Sequence, residues 1–179
     1  MDAVFEVELN EISARAIERA IGSISGQKII PAIMSAQRRA ATAGRTLAAK
    51  RIREIYTIKA GDIKNRANIK ADIGGTETRI EIKGPFEPVK KYRARKNAHG
   101  IFVAIKRGKG KTVPRSFQRP DNGRLVARVG PERGPLKGLY GPSVPQLFQN
   151  VEVMGEVQAR MMEMYENRLM HELERRLGQ

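Results

Sequence analysis

The sequence predicts an α+β fold, with N-terminal helices and a long C-terminal helix packed beside an antiparallel, hairpin-rich β-sheet. Three observations predict it. Apolar residues recur at helical spacing from Leu147 through Val157, Met161, Leu169 and Leu173 to Leu177. An alanine-rich stretch does the same between Gln27 and Tyr56. Between these two, residues 68–130 alternate with period two and are broken by glycine and proline turns.

From the N-terminus, Phe5, Val7 and Leu9 alternate with Glu6 and Glu8, the pattern of a short strand. Asn10 then offers an N-cap, and Ile12, Ala16, Ile17, Ala20, Ile21 and Ile24 follow at helical spacing until Gly26. The second helix is expected to start near Gln27 to Pro31, with Pro31 tolerated in its first turn, and to run to about Tyr56. Its stripe is narrow and mostly alanine: Ile33, Ala36, Ala40, Ala43, Leu47 and Ile55. Small side chains let a second helix approach closely, and at ~1.5 Å per residue this one is ~40 Å long. Thr57 or Asp62 can cap a short helical turn before Arg66. Residues 68–83 read as a hairpin turning at Gly74-Gly75.

Pro85 and Pro88 interrupt the pattern. A basic run follows at residues 90–96, then a buried strand at Ile101–Ile105 and a basic, glycine-rich loop at residues 106–111. Phe117 opens another extended piece, Asp121-Asn122-Gly123 turns, and residues 124–129 form a strand. Residues 130–145 hold four prolines and four glycines, which predicts an extended, irregular passage. The last helix runs from about residue 145 or 150 to 176, with Gly178 beyond it. At 179 residues one domain is expected. Its parts are helical (10–56), basic sheet (68–130), Pro/Gly-rich connector (131–146) and C-terminal helix (147–177).

The chain has no cysteine, which excludes disulfides, cysteine-ligated zinc and thiol catalysis. No apolar run reaches the ~20 residues of a membrane span. The acidic, alternating N-terminus does not resemble a signal peptide. A protein made and used inside a cell is expected. The net charge of +15 is concentrated: residues 83–137 carry sixteen basic and three acidic groups, whereas residues 1–35 carry three and five. Such a field attracts polyanions or an acidic partner surface. The expected basic face comprises Lys90, Lys91, Arg93, Arg95, Lys96, Lys106, Arg107, Lys109 and Lys111.

Enzyme chemistry finds little footing. Asp72, Glu81 and Lys83 fit the loose Asp-x(8)-Glu-x-Lys pattern of a Mg²⁺-dependent nuclease, but alternating polar residues in a hairpin produce it by chance. His99 and His171 lack partners at metal-ligand spacing. Gly108-Lys109-Gly110-Lys111 lacks the spacing of a nucleotide-binding loop, though it suits a nonspecific phosphate contact. The aromatics Phe86, Tyr92, Phe102 and Phe117 are sparse for a stacking platform, and Phe102 sits in an apolar run that reads as core. Met154, Met161, Met162, Met164 and Met170 suit core packing or an adaptable interface. No catalytic, cofactor or metal site is expected. A nonspecific nucleic-acid-binding module is the alternative reading, and the nuclease is a remote one.

Residues Gly123–Gly130 and then Gly138-Leu139-Tyr140-Gly141-Pro142-Ser143-Val144-Pro145-Gln146-Leu147-Phe148 resemble a recurring signature of the minor tail protein Z (tail-completion) family of bacteriophages and prophages. Val113-Pro114-Arg115-Ser116-Phe117, the Ala- and Arg-rich helix, Tyr56-Thr57-Ile58-Lys59 and Ile63-Lys64 match its order of features, over residues 10–177. The resemblance implies a structural virion protein without catalysis, at the head-proximal end of the tail or the neck, present in the host cytoplasm during assembly. It also implies a homo-oligomeric ring that meets tail-terminator, tail-tube and head–tail connector proteins. Nonspecific contact with phage DNA is compatible with the charge, and no membrane partner is expected. Leu139, Tyr140, Pro142, Val144, Pro145, Leu147 and Phe148 form either a subunit-contact arm or an internal connector that positions the last helix.

Overall fold

The computed structural model describes residues 26–71, 78–149 and 151–177. The expected strand at 4–9, the helix at 12–24, Asp72 and the Gly74-Gly75 turn lie outside the described residues. Helix α1 (Gly26–Ile55) leads to a short α2 (Ala60–Lys64) and ten strands: β1 (Ala67–Ala71), β2 (Thr78–Ile82), β3 (Phe86–Pro88), β4 (Arg93–Asn97), β5 (Gly100–Lys106), β6 (Lys109–Pro114), β7 (Ser116–Gln118), β8 (Leu125–Arg128), β9 (Leu136–Gly138) and β10 (Tyr140–Ser143). A 3₁₀ turn at Val89–Lys91 separates β3 from β4, and α3 (Val144–Phe148) and α4 (Val151–Leu177) close the chain. The fold is α+β. Its strands form four small antiparallel sheets, ordered β1-β2, β10-β3, β4-β5-β6 and β7-β8-β9, rather than one continuous sheet.

Helices α1 and α4 lie antiparallel along their length. Ser35 Oγ donates to Glu172 Oε1 at one end (3.0 Å), and Arg51 pairs with Glu156 at the other (2.5 Å). The contact is a seam stepping every four residues. Ala32, Ala36, Ala40, Ala48 and Ile52 of α1 are fully buried, with Gly44 in the same row. Val153, Val157, Met161, Tyr165, Leu169 and Leu173 of α4 are buried opposite. This corrects the expected α1 stripe: Ala43, Leu47 and Ile55 are only half-buried, and the buried face is rotated toward Ala32, Gly44 and Ala48. Pro31 falls inside α1, one turn later than expected, because the helix starts at Gly26. Of the methionines, Met161 is fully buried while Met162 and Met170 are exposed.

Gly44 has no room for a side chain. A Cβ there would lie 2.4 Å from Met161 Cγ and Sδ, and Met161 is itself wholly enclosed. Gly44→Leu is therefore expected to lower unfolding free energy by about 1–3 kcal/mol through overpacking. Thr42→Leu, on the exposed face of α1, should change it by no more than about 0.5 kcal/mol. Urea titration of the two variants distinguishes these outcomes.

A charged cluster clasps the same seam. Glu172 is 2 % exposed, and besides Ser35 it takes Arg168 (2.8 Å) and Arg175 (2.9 Å). Burial alone would raise its pKa. Hydrogen bonds from Ser35 and Arg175, with the charges of Arg175 and Arg168, outweigh that and hold it below 4.5. A depressed folded-state pKa stabilises fully above the unfolded value and ceases to do so as pH falls through the folded one. The stability advantage of the native chain over Glu172→Gln should thus be intact at pH 7 and shrink as pH drops below about 4.5. Denaturant unfolding at a series of pH values checks this, and a pH-independent difference would contradict it.

The sheet half is pinned to the end of α1 by Thr57. Its N–H donates to Ile105 O (2.9 Å), its Oγ1 donates to Ala104 O (2.6 Å), and that oxygen accepts from Arg93 N (3.0 Å). Arg107 caps the helix C-terminus, donating from its backbone N–H to Ile55 O (2.8 Å) and from Nε to Arg53 O (2.6 Å). The larger core gathers α1, α3 and α4 with Ile58, Ile63, Ile80, Ile82 and Tyr92. A smaller one collects Val89, Ile101 and Val103, with Val113, Leu125 and Leu139 packed against it, and Ile105 touches both.

Candidate functional site

Strands β4, β5 and β6 carry most of the expected basic residues. No acidic residue occurs between Glu87 and Asp121, so charge here is uncompensated by sequence neighbours. Register decides the faces. Arg95 lies opposite Phe102, and Phe102 opposite Thr112; Ala94 lies opposite Val103, and Val103 opposite Lys111. Directly opposed residues share a face. One face therefore shows Arg93, Arg95, Phe102 and Thr112. The other shows Ala94, Lys96, Ile101, Val103, Lys111 and Val113, and its apolar members form the smaller core.

Phe102 is consequently not a core residue, which corrects the sequence expectation. It is half-buried on the outer face, with the Arg95 guanidinium 4.9 Å from its ring centre. Gly110 makes room for it, since a Cβ there would meet Phe102 Cζ at 2.3 Å. Two similar pairs flank the sheet: Lys106 over Tyr56 (5.7 Å) and Arg128 over Phe117 (5.4 Å). The expected loop at 106–111 is also corrected. It is a tight hairpin, in which only Arg107-Gly108 turns, Gly108 takes φ +71°, and residues from Lys109 onward are strand.

The nine basic residues fall into two groups. Lys90, Arg93, Arg95, Lys96, Lys106, Arg107, Lys109 and Lys111 are exposed, and none of them pairs with a carboxylate among the described residues. Lys91 faces inward instead. It bridges the buried Glu87 (2.8 Å) and Asp62 (3.3 Å), while Arg66 holds the other Glu87 oxygen (3.1 Å). Burial works against the Lys91 ammonium, but hydrogen bonds and charge from Glu87 and Asp62 outweigh it and raise its pKa. This cluster fastens β3 and the 3₁₀ turn to α2. Nothing in the sequence pattern marks it beyond the i, i+4 spacing of Glu87 and Lys91.

The connector residues are committed mainly to the chain's own interior. Val144 (0 %), Leu147 (1 %) and Phe148 (2 %) sit in the larger core, and Pro145 is buried with them. Tyr92 donates its hydroxyl to Pro142 O (2.7 Å), and Gly141 leaves space for the Tyr92 ring. Gln146 Oε1 accepts from Ser143 N (2.9 Å) as α3 begins. The expected irregular passage is partly ordered, since β9 pairs with β8 and β10 pairs with β3. Leu139 is half-buried on the smaller core, and Tyr140 is 55 % exposed.

Sequence reasoning missed a cleft of about 410 Å³ between β5–β6 and the β9–β10 link. Val89, Val103, Ile105, Val113, Leu139 and Tyr140 line it, and Lys106, Lys109 and Lys111 edge it. The signal available was the Lys-x-Lys-x-Val alternation of 109–113, which places two ammonium groups beside apolar strand positions.

The other candidate chemistries gain no geometry. Glu81 and Lys83 pair with each other, and Asp72 lies outside the described residues. His99 and His171 are exposed, on the β4–β5 turn and on α4. No group of three potential metal ligands occurs among the described residues. Among them, no helix is long and apolar enough to cross a membrane.

No curated protein and no solved structure matches the chain. A model of the prophage minor tail protein Z family matches residues 3–179, a span that includes both the helical pair and the basic sheet half. The chain belongs to the prophage minor tail protein Z family, structural proteins of the bacteriophage tail.

Proposed function

We propose that this chain completes the head-proximal end of the tail and takes part in joining tail to head, as a homo-oligomeric ring. The family match carries the tail assignment. The observation that supports the finer reading is the exposed set of eight cations on and beside β4–β6 without described carboxylate partners. A protein that must meet acidic tail or connector surfaces, or let DNA pass without reading it, presents such a face. Cations without a carboxylate partner among the described residues gain more from an external anion than paired ones would, because no described ion pair must first be broken. Catalysis plays no part in this reading.

The test is removal of the gene from an inducible prophage. Filled heads and separate tails should accumulate, visible by electron microscopy, and the native gene supplied in trans should restore joined particles. Joined, infectious particles without the protein would overturn the proposal. A nucleic-acid module acting outside the virion would instead show cellular DNA or RNA co-purifying with the chain.

A further inference from the structure

We propose that the lysine-edged cleft beside β6 receives an exposed row of methionines and glutamates on α4 of a second copy of this chain. Met162, Glu166, Met170 and Glu174 stand four residues apart and are all exposed, so they share one side of the helix. The two methionines are 42 % and 54 % exposed, whereas Val157, Met161, Tyr165 and Leu169 of the same helix are buried. Neither Glu166 nor Glu174 pairs with a cation among the described residues. The arginines nearby are already engaged, Arg160 with Glu163 (2.7 Å) and both Arg168 and Arg175 with Glu172. The row therefore alternates apolar and acidic groups.

The cleft has the complementary character. Val89, Val103, Ile105, Val113 and Leu139 give it an apolar lining, and no carboxylate lines it. Lys106, Lys109 and Lys111 edge it and have no carboxylate partner among the described residues. The lengths agree. Met162 to Met170 spans about 12 Å at helical rise, and Lys109 to Val113 spans about 13 Å along β6. A thioether chain bends to fill an irregular apolar cleft. A helix face laid into such a groove brings its glutamates beside the lysine rim. Each new ion pair then forms without breaking a described one in either copy.

The contact has to join two copies. Within one chain the row runs alongside residues 35–44 of α1, between the Gly44–Met161 contact and the Ser35–Glu172 hydrogen bond. The cleft lies past the C-terminal end of α1, where Tyr56 bridges to Lys106. At helical rise these places are about 18–32 Å apart. A row on one part of the surface and a cleft on another make a heterologous contact, which closes into a ring when the rotation permits. Only that closure rests on the ring proposed above.

Sedimentation velocity of the full-length protein tests the contact. The native chain should self-associate as its concentration rises. Lys109→Glu with Lys111→Glu, and separately Glu166→Lys with Glu174→Lys, should each raise the dissociation constant on the order of 100-fold. All four positions are exposed, so both variants should unfold within a few degrees of native. An equal mixture of the two should associate again, because it holds one native row and one native cleft. Carbodiimide coupling of the native chain, mixed with isotope-labelled copies, needs no substitution. It should join Glu166 or Glu174 of one copy to Lys106, Lys109 or Lys111 of another. A native chain that stays monomeric throughout would overturn the contact and leave the cleft to a different protein. Association that survives both charge reversals would overturn it as well and put the interface elsewhere. Neither result bears on head–tail joining, which the gene-removal experiment reads separately.

Discussion

Phe148→Ala should lower the unfolding free energy by about 3–5 kcal/mol, the usual cost of emptying a buried aromatic site. Phe148 is 2 % exposed and lies in the larger core with Val144 and Leu147, so truncating it leaves a void among buried neighbours. Helix α3 is the joint between β10 and α4, so both halves loosen together. Tyr140→Ala, at a site 55 % exposed, should change stability by no more than about 0.5 kcal/mol. Urea unfolding followed by circular dichroism separates the two. On the same grounds, deleting residues 138–146 should yield insoluble chain, the outcome of an internal connector. A soluble, folded monomer that merely fails to assemble would restore the subunit-arm reading.

Reversing the basic face should leave the fold alone and stop assembly. Arg95→Glu, Lys96→Glu, Lys109→Glu and Lys111→Glu combined remove four exposed cations and break no described ion pair. They also relieve mutual repulsion within β4–β6, so thermal unfolding should stay within a few degrees of native. Like charges placed against an acidic partner cost several kcal/mol, which corresponds to a loss on the order of 100-fold or more in incorporation into particles. Complementation by this variant, scored as the protein recovered per particle, checks the expectation. Normal incorporation would show that the face is merely solvated.

How much of this was legible beforehand depended on side-chain contrast. The α4 seam was clear because Val157, Met161, Leu169 and Leu173 differ sharply from their charged neighbours. The α1 seam was blurred because alanine is only weakly apolar and Gly44 looks like a helix weakener, although it allows Met161 its place. Strand β6 shows no apolar alternation at Lys109-Gly110-Lys111, only the weaker alternation of lysines leading to Val113, and it becomes strand by pairing with β5. Phe102 was misplaced because a run of five apolar residues hides which of them faces the core. Glu87 and Glu172 gave no sign of burial, since each is made tolerable by cations distant in sequence or helically spaced, and a linear scan weighs carboxylates as surface. The Tyr140–Phe148 signature was legible as unusual composition. Its role in seating the Tyr92 ring and starting α3 emerged only from the contacts.

The most direct test of the central claim is quantitative mass spectrometry on purified particles, with heads and tails separated. The account predicts the protein in tails, at a fixed low number of copies per particle. Its absence from virions, with recovery instead on cellular nucleic acid, would contradict it.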